Sequence, residues 1–174
     1  LVRLACEQGM TYLGDEETNI CAESYEVARM AVGGILAACD AVMSDRIQRA
    51  FCAARPPGHH AERDHAMGYC LFNNVAIAAD YLVRRYGLHR VAIVDWDAHH
   101  GNGTTQIFED RADVLFVSLH ESPDFQYPYT GHEGERGQGA GEGYTLNCPM
   151  RPGSGDDEYR RAFRDRIMPT LESY

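Results

Sequence analysis

Asp95, Asp97, His99 and His100 crowd into six positions of the stretch Arg90-Val-Ala-Ile-Val-Asp-Trp-Asp-Ala-His-His-Gly-Asn-Gly103. Carboxylates and imidazoles together are the donors that a hard-to-borderline divalent metal ion takes. In an extended segment residues i and i+2 point to the same side, so this spacing presents Asp95, Asp97 and His99 together. Asp97 and His99 are read as metal ligands. Asp95 shares their parity and is read either as a ligand to a second ion or as the group orienting a neighbouring imidazole. A catalytic zinc takes three protein ligands and leaves one position for water; the third ligand is not evident. Adjacent His59 and His60, after Arg55-Pro56-Pro57-Gly58, suit proton transfer: they can deprotonate a metal-bound water and then protonate a leaving amine. Asp95 and Asn102 are the acceptors available to hold their far ring nitrogens. His65, His89 and His132 read as ordinary surface or loop residues, and His120, at a strand end, as a lesser site candidate.

The elements that must position these groups follow from periodicity. Val91 to Val94 reads as a strand buried on both faces, and Val114 to Leu119 as another. In an open parallel sheet, ligands bind beyond the carboxyl ends of strands, where Asp95 to His99 lie. Ala28, Ala31, Val32, Ile35, Cys39 and Val42 share one face of a helix with Ser24 as its N-cap, and Gly33-Gly34 inside it predicts a close helix contact. Ala50 to Ala54 is a short strand candidate. Asn73 or Asn74 caps a helix over Val75 to Tyr86 that Gly87 stops. Thr104 to Phe108 is a short helix and Tyr144 to Cys148 a last strand. Ser154 and Asp156 open a helix with Tyr159, Phe163 and Ile167 on one face, kinked or ended by Pro169. Residues 1 to 23 carry little pattern. This alternation predicts an α/β fold with a mainly parallel sheet.

Between Glu121 and Gly143 lies a long segment with six glycines from Gly131 onward. It lacks the G-x-G-x-x-G spacing and any following G-K-[ST], which argues against a phosphate loop. A formal charge of −10 argues against sequence-independent nucleic-acid or anionic-membrane binding, and no apolar run reaches transmembrane length. Lys is absent and all 16 basic residues are Arg. Cys6, Cys21, Cys39, Cys52, Cys70 and Cys148 form no C-x-x-C pair and read as buried free thiols of a reducing, cytoplasmic compartment.

Three blocks, Arg55-Pro-Pro-Gly-His-His-Ala61, Met67-Gly-Tyr-Cys-Leu-Phe-Asn-Asn74 and Val94-Asp-Trp-Asp-Ala-His-His-Gly-Asn-Gly-Thr104, resemble the zinc-dependent histone deacetylase family. Their wording is nearest to class II and bacterial deacetylase-like amidohydrolases; Tyr127-Pro-Tyr-Thr-Gly131 and Gly141-Glu-Gly-Tyr-Thr-Leu-Asn147 fit its later blocks. The resemblance implies a three-layer α/β/α, arginase-like fold and hydrolysis of the amide of acetyl-lysine or acetylated polyamines, without direct nucleic-acid or membrane partners. It implies that Asp97 and His99 bind one catalytic Zn2+, and that His59 and His60 pair beside the zinc-bound water, supported by Asp95 and Asn102. Gly68 would offer its carbonyl to the substrate amide, and Tyr69 and Tyr127 would wall the acyl-lysine tunnel, where Phe is common in the family. Asp95, Asp97 and Ser118 side chains, with His99 and Leu119 carbonyls, match its structural K+ or Na+ site. The family's third zinc ligand, an Asp, and its oxyanion-stabilising Tyr belong after Tyr174. Residues 1–174 are therefore expected to form a single catalytic domain that is incomplete at its C-terminus and poorly active alone; loss of an oxyanion donor costs about 10²–10³ in rate. Two alternatives stand beside this: a non-catalytic domain binding acyl-lysine or a partner, and a two-manganese ureohydrolase. Gly101, where ureohydrolases carry Asp, disfavours the latter.

Overall fold

Val2, Ala5 and Cys6 line one face of a first helix, α1 (Val2–Glu7), and close an apolar cluster with Leu13, Ile20, Ala28, Ala66 and Leu71. The computed structural model describes residues 1–174, which divide into two compact units, 1–88 and 89–174. In the first unit a small antiparallel hairpin follows α1, with strands β1 (Tyr12–Leu13) and β2 (Asp15–Asn19). Only Leu13 and Thr18 of these strands are buried, which is why this polar stretch carries no period in the sequence.

Helix α2 (Ser24–Met43) presents the predicted face, yet Ala28 alone is fully buried. Ser24 is its first residue rather than its cap: Glu23 holds the cap position, and the Ser24 hydroxyl turns back to accept the Cys21 N–H at 2.9 Å. The close contact expected at Gly33-Gly34 is absent, and a Cβ at either position would meet nothing within 4 Å. Ala50 to Ala54 forms no strand: it joins no ladder, the Ala54 N–H turns back to the Cys52 carbonyl at 3.1 Å, and Phe51 is 94% exposed.

Helix α3 (Asn74–Tyr86) forms as predicted. The Asn73 side chain accepts the Ala76 N–H at 3.1 Å, and Gly87 closes the helix in the left-handed region at φ 68°. Asp40 ties α2 to α3 by accepting both the Tyr81 and Tyr86 hydroxyls, at 2.8 and 2.7 Å.

The second unit is built on a parallel sheet of β3 (Val91–Asp95), β4 (Val114–Glu121) and β5 (Thr145–Met150), in that order. β4 lies centrally and is buried along its length except at Glu121. β3 has β4 as its only strand neighbour, so of its residues Ile93 alone is buried, not both faces as predicted. Leu115, Val117 and Leu119 on one face of β4 pack with Cys148 and Ile167. The Ile167 side is a continuous helical segment of α5 (Asp156–Ala162), a π turn (Phe163–Ile167) and α6 (Met168–Ser173). Gly155 rather than Ser154 caps α5, its N–H donating to Glu158 Oε2 at 3.0 Å. Pro169 does not end the helical path: it follows the π turn and occupies the first turn of α6, which runs on to Ser173. Helix α4 (Asn102–Phe108) packs against β4 as well. No helix is long and apolar enough to cross a membrane. All six cysteines are free, but Cys21 and Cys52 are exposed and Cys39 half-buried; only Cys6, Cys70 and Cys148 are buried thiols.

Candidate active site

The candidate residues fall into two sets, one on each unit. In the first unit, His59 and His60 sit side by side with ring centroids 4.1 Å apart; His60 is buried and His59 half-buried. The start of α3 holds their loop. Asn74 Nδ2 donates to the Pro56 carbonyl at 3.0 Å and Asn73 Nδ2 to the Ala61 carbonyl at 3.2 Å. Gly58 lies so near that a Cβ there would stand 2.6 Å from the Asn74 nitrogen. The two asparagines, read from sequence as capping candidates, thus bracket the histidine loop as well.

Gly68 and Tyr69 occupy the centre of a tight turn closed by the Cys70 N–H on the Met67 carbonyl at 2.9 Å. Both have positive φ, 56° and 66°, the type I′ arrangement. Gly68 packs on the His60 ring, where a Cβ would approach Cδ2 to 2.4 Å. Gly68 is buried and the Tyr69 ring is exposed.

In the second unit, the predicted ligands lie just past β3, in a bend rather than in the extended segment expected. Asp97 Oδ1 and His99 Nδ1 lie 3.0 Å apart, at the end of β3. Two donors on one tetrahedral zinc, each about 2.0–2.1 Å from it, stand roughly 3.3 Å apart, so this pair has the bite of a chelate. Asp95 Oδ1 accepts the Asp97 N–H at 3.1 Å, and Asp97 Oδ1 accepts the His99 N–H at 2.8 Å. No third His, Cys, Asp or Glu joins the pair in a ligand cluster. The far nitrogen of His99, Nε2, is met at 2.8 Å by the amide of Gln126, a residue with no motif to announce it. Tyr127 packs edge-on to the His99 ring at 6.3 Å.

Asp95 and Ser118 are register partners across β3 and β4. Leu119 follows Ser118 and is fully buried; Asn102, at the start of α4, is buried as well. Behind them lies a polar core that sequence reading did not resolve. His120 Nε2 donates to the Gly131 carbonyl at 2.9 Å, because a carbonyl can only accept; Nδ1 then accepts the Ser118 hydroxyl at 2.8 Å. Burial holds the His120 imidazole below its usual pKa, against the opposing pull of the Gly131 carbonyl and the Asp95 and Glu135 carboxylates. The His100 ring lies tilted against His120, centroids 4.8 Å apart, and bonds to Thr130 Oγ1 at 2.8 Å and Thr105 Oγ1 at 2.9 Å. His100 therefore belongs to the scaffold, as does His120. His65, His89 and His132 are exposed, as predicted.

Residues 2–174 match the histone deacetylase domain, in agreement with the motifs around His59, Gly68 and Asp97. The chain belongs to the histone deacetylase domain family. It is 45% identical over 151 residues to the histone deacetylase-like amidohydrolase of Pseudomonas aeruginosa, covering 87% of this chain and 40% of that protein. It is 43% identical to a probable deacetylase of Archaeoglobus fulgidus, covering 92% of this chain and 44% of that one. Among solved structures it matches the HDA15 HD domain with a TM-score of 0.94 at 39% identity, over 99% of this chain and 50% of that one. The acetylpolyamine aminohydrolase of Burkholderia pseudomallei matches with a TM-score of 0.86 at 40% identity, over 93% of this chain and 46% of that one. The deacetylase-like α/β fold expected from the motifs is thus present, and the chain spans half or less of the length of each of these relatives.

Proposed function

We propose that this chain is part of a zinc-dependent amidohydrolase that removes acetyl groups from acetyl-lysine or acetylated polyamines. The observation that carries the reading is the Asp97–His99 pair, a carboxylate oxygen and an imidazole nitrogen 3.0 Å apart at a strand end. A zinc ion held there supplies a Lewis acid that polarises the amide carbonyl and acidifies water. For Nδ1 of His99 to face a metal, its proton must sit on Nε2; the Gln126 side chain, whose Nε2 stands 2.8 Å from that ring nitrogen, would then present its amide oxygen to the N–H instead and fix the ring.

His59 and His60 take the proton-transfer roles. Their ring centroids stand 4.1 Å apart, so both imidazoles are presented from one loop position. Asp95 and Asn102 are assigned as their supports. The Gly68 carbonyl receives the substrate amide N–H, and the Tyr69 and Tyr127 rings take the wall positions, their hydroxyls altering acyl preference. A structural K+ or Na+ is assigned to Asp95, Asp97 and Ser118 with the His99 and Leu119 carbonyls. Because Ser118 donates its proton to His120, its oxygen lone pairs stay available to a cation. Relatives bearing the names amidohydrolase and acetylpolyamine aminohydrolase support an acetylated amine as substrate. The free thiols fit a reducing, cytoplasmic setting.

The test uses the full-length polypeptide containing this chain. His60→Ala should abolish acetate release from both an acetyl-lysine peptide and an acetylated polyamine while zinc content stays near wild type. Unchanged turnover would remove the paired-histidine mechanism. The alternative reading is a non-catalytic domain binding acyl-lysine or a partner. A full-length polypeptide that binds acetyl-lysine peptide but holds no zinc and releases no acetate would establish it instead.

A further inference from the structure

The turn that carries Gly68 and Tyr69 is held from outside by residues far away in sequence. Asp15 Oδ2 accepts the Gly68 N–H at 2.8 Å, across 53 positions. Thr18 Oγ1 accepts the Tyr69 N–H at 3.0 Å, across 51. Both acceptors stand on β2, and Asp15 Oδ1 also accepts the Thr18 N–H at 2.7 Å, so the two form one unit. Gly14, at the head of the hairpin, is pressed against the same segment: a Cβ there would collide with the Ala66 carbonyl at 1.6 Å. Burial raises the Asp15 carboxyl's pKa, but bonds from the Thr18 hydroxyl and the Gly68 and Thr18 N–H groups outweigh it and hold the group below the usual carboxylate range.

The turn needs such support. A bulky residue at φ 66°, where Tyr69 sits, persists only when its surroundings over-determine it. The turn's own closing bond and a weak thiol contact from Cys70 to the Gly68 carbonyl at 3.3 Å are its local restraints. Neither fixes the peptide N–H groups of Gly68 and Tyr69. Those are the two that Asp15 and Thr18 take.

We infer that Asp15 and Thr18 are positioning residues for the acyl-lysine subsite: the β1–β2 hairpin locks the Met67–Cys70 turn so that the Gly68 carbonyl and Tyr69 ring keep one orientation toward the substrate. The inference rests on the proposed substrate role of Gly68 and Tyr69. It predicts that the hairpin sets acyl-chain preference without itself touching the acyl group.

The experiment compares Asp15→Ala, Asp15→Asn, Thr18→Val and Tyr69→Ala in the full-length polypeptide, with acetyl-lysine and butyryl-lysine peptides. Thr18→Val preserves shape and frees one N–H, so KM for the acetyl peptide should rise about two- to tenfold. Asp15→Ala removes a charged acceptor and should raise KM about tenfold or more, with Asp15→Asn, which keeps an amide oxygen, falling between. In each variant the acetyl-to-butyryl ratio of kcat/KM should shift in the direction that Tyr69→Ala shifts it, a change that lost stability alone would not produce. If Asp15→Ala fails to fold, Thr18→Val decides. Wild-type KM and acyl ratio in Thr18→Val and Asp15→Asn, beside altered values in Tyr69→Ala, would overturn the inference while leaving the subsite reading intact. Wild-type values in Tyr69→Ala as well would refute the subsite reading and the inference with it.

Discussion

Gly131 shows how tightly single residues are constrained around the second set of candidate groups. Its φ is +93°, and a Cβ would lie 2.6 Å from both the His100 and His120 rings. Each of those rings spans two partners, so neither can move without breaking a buried bond. Gly131→Ala combines backbone strain with overpacking and should cost about 3 kcal/mol, lowering Tm by roughly 6–12 °C. Gly33→Ala is the matched control. That glycine is helical and a Cβ there would meet nothing within 4 Å, so alanine should stabilise α2 by about 0.5–1 kcal/mol. Thermal unfolding of the two variants checks both signs; equal Tm values would contradict the packing described around His100 and His120.

At the scale of elements, α3 links local sequence to the site most directly. Asn73 satisfies the Ala76 N–H with its oxygen and the Ala61 carbonyl with its nitrogen, so one side chain both starts the helix and ties down the histidine loop. Asn73→Ala should cost about 1–2 kcal/mol for the lost cap and the stranded carbonyl. Urea unfolding measures it, and a midpoint at the wild-type value would contradict the dual role. This helix was legible in the sequence because its cap, apolar face and Gly87 stop are all local, and β4 because a strand buried on both sides reads as a continuous apolar run. Ala50 to Ala54 misled for the converse reason: a strand needs a partner, and partners are not written locally. The π turn at Phe163–Ile167, which lets the helical path absorb Pro169, also left no local mark.

For the molecule as a whole, Asp97 and His99 were legible as candidate ligands from residue type and close spacing, whereas what brings them to 3.0 Å is a bend past β3 in which Asp97 Oδ1 also accepts the His99 N–H. The groups that hold such residues in place were not. Asp15, Thr18 and Gln126 act across tens of positions, carry no spacing of their own, and sit in polar stretches that read as surface. His100 and His120 were visible as histidines, but only burial assigns them to the scaffold rather than to chemistry. The central claim is that a zinc ion is gripped where β3 ends. Elemental analysis of the full-length polypeptide, wild type beside an Asp97→Ala, His99→Ala double variant, tests it most directly. The account predicts about one zinc per chain in the wild type and near none in the folded double variant; zinc retained undiminished in that variant would contradict it.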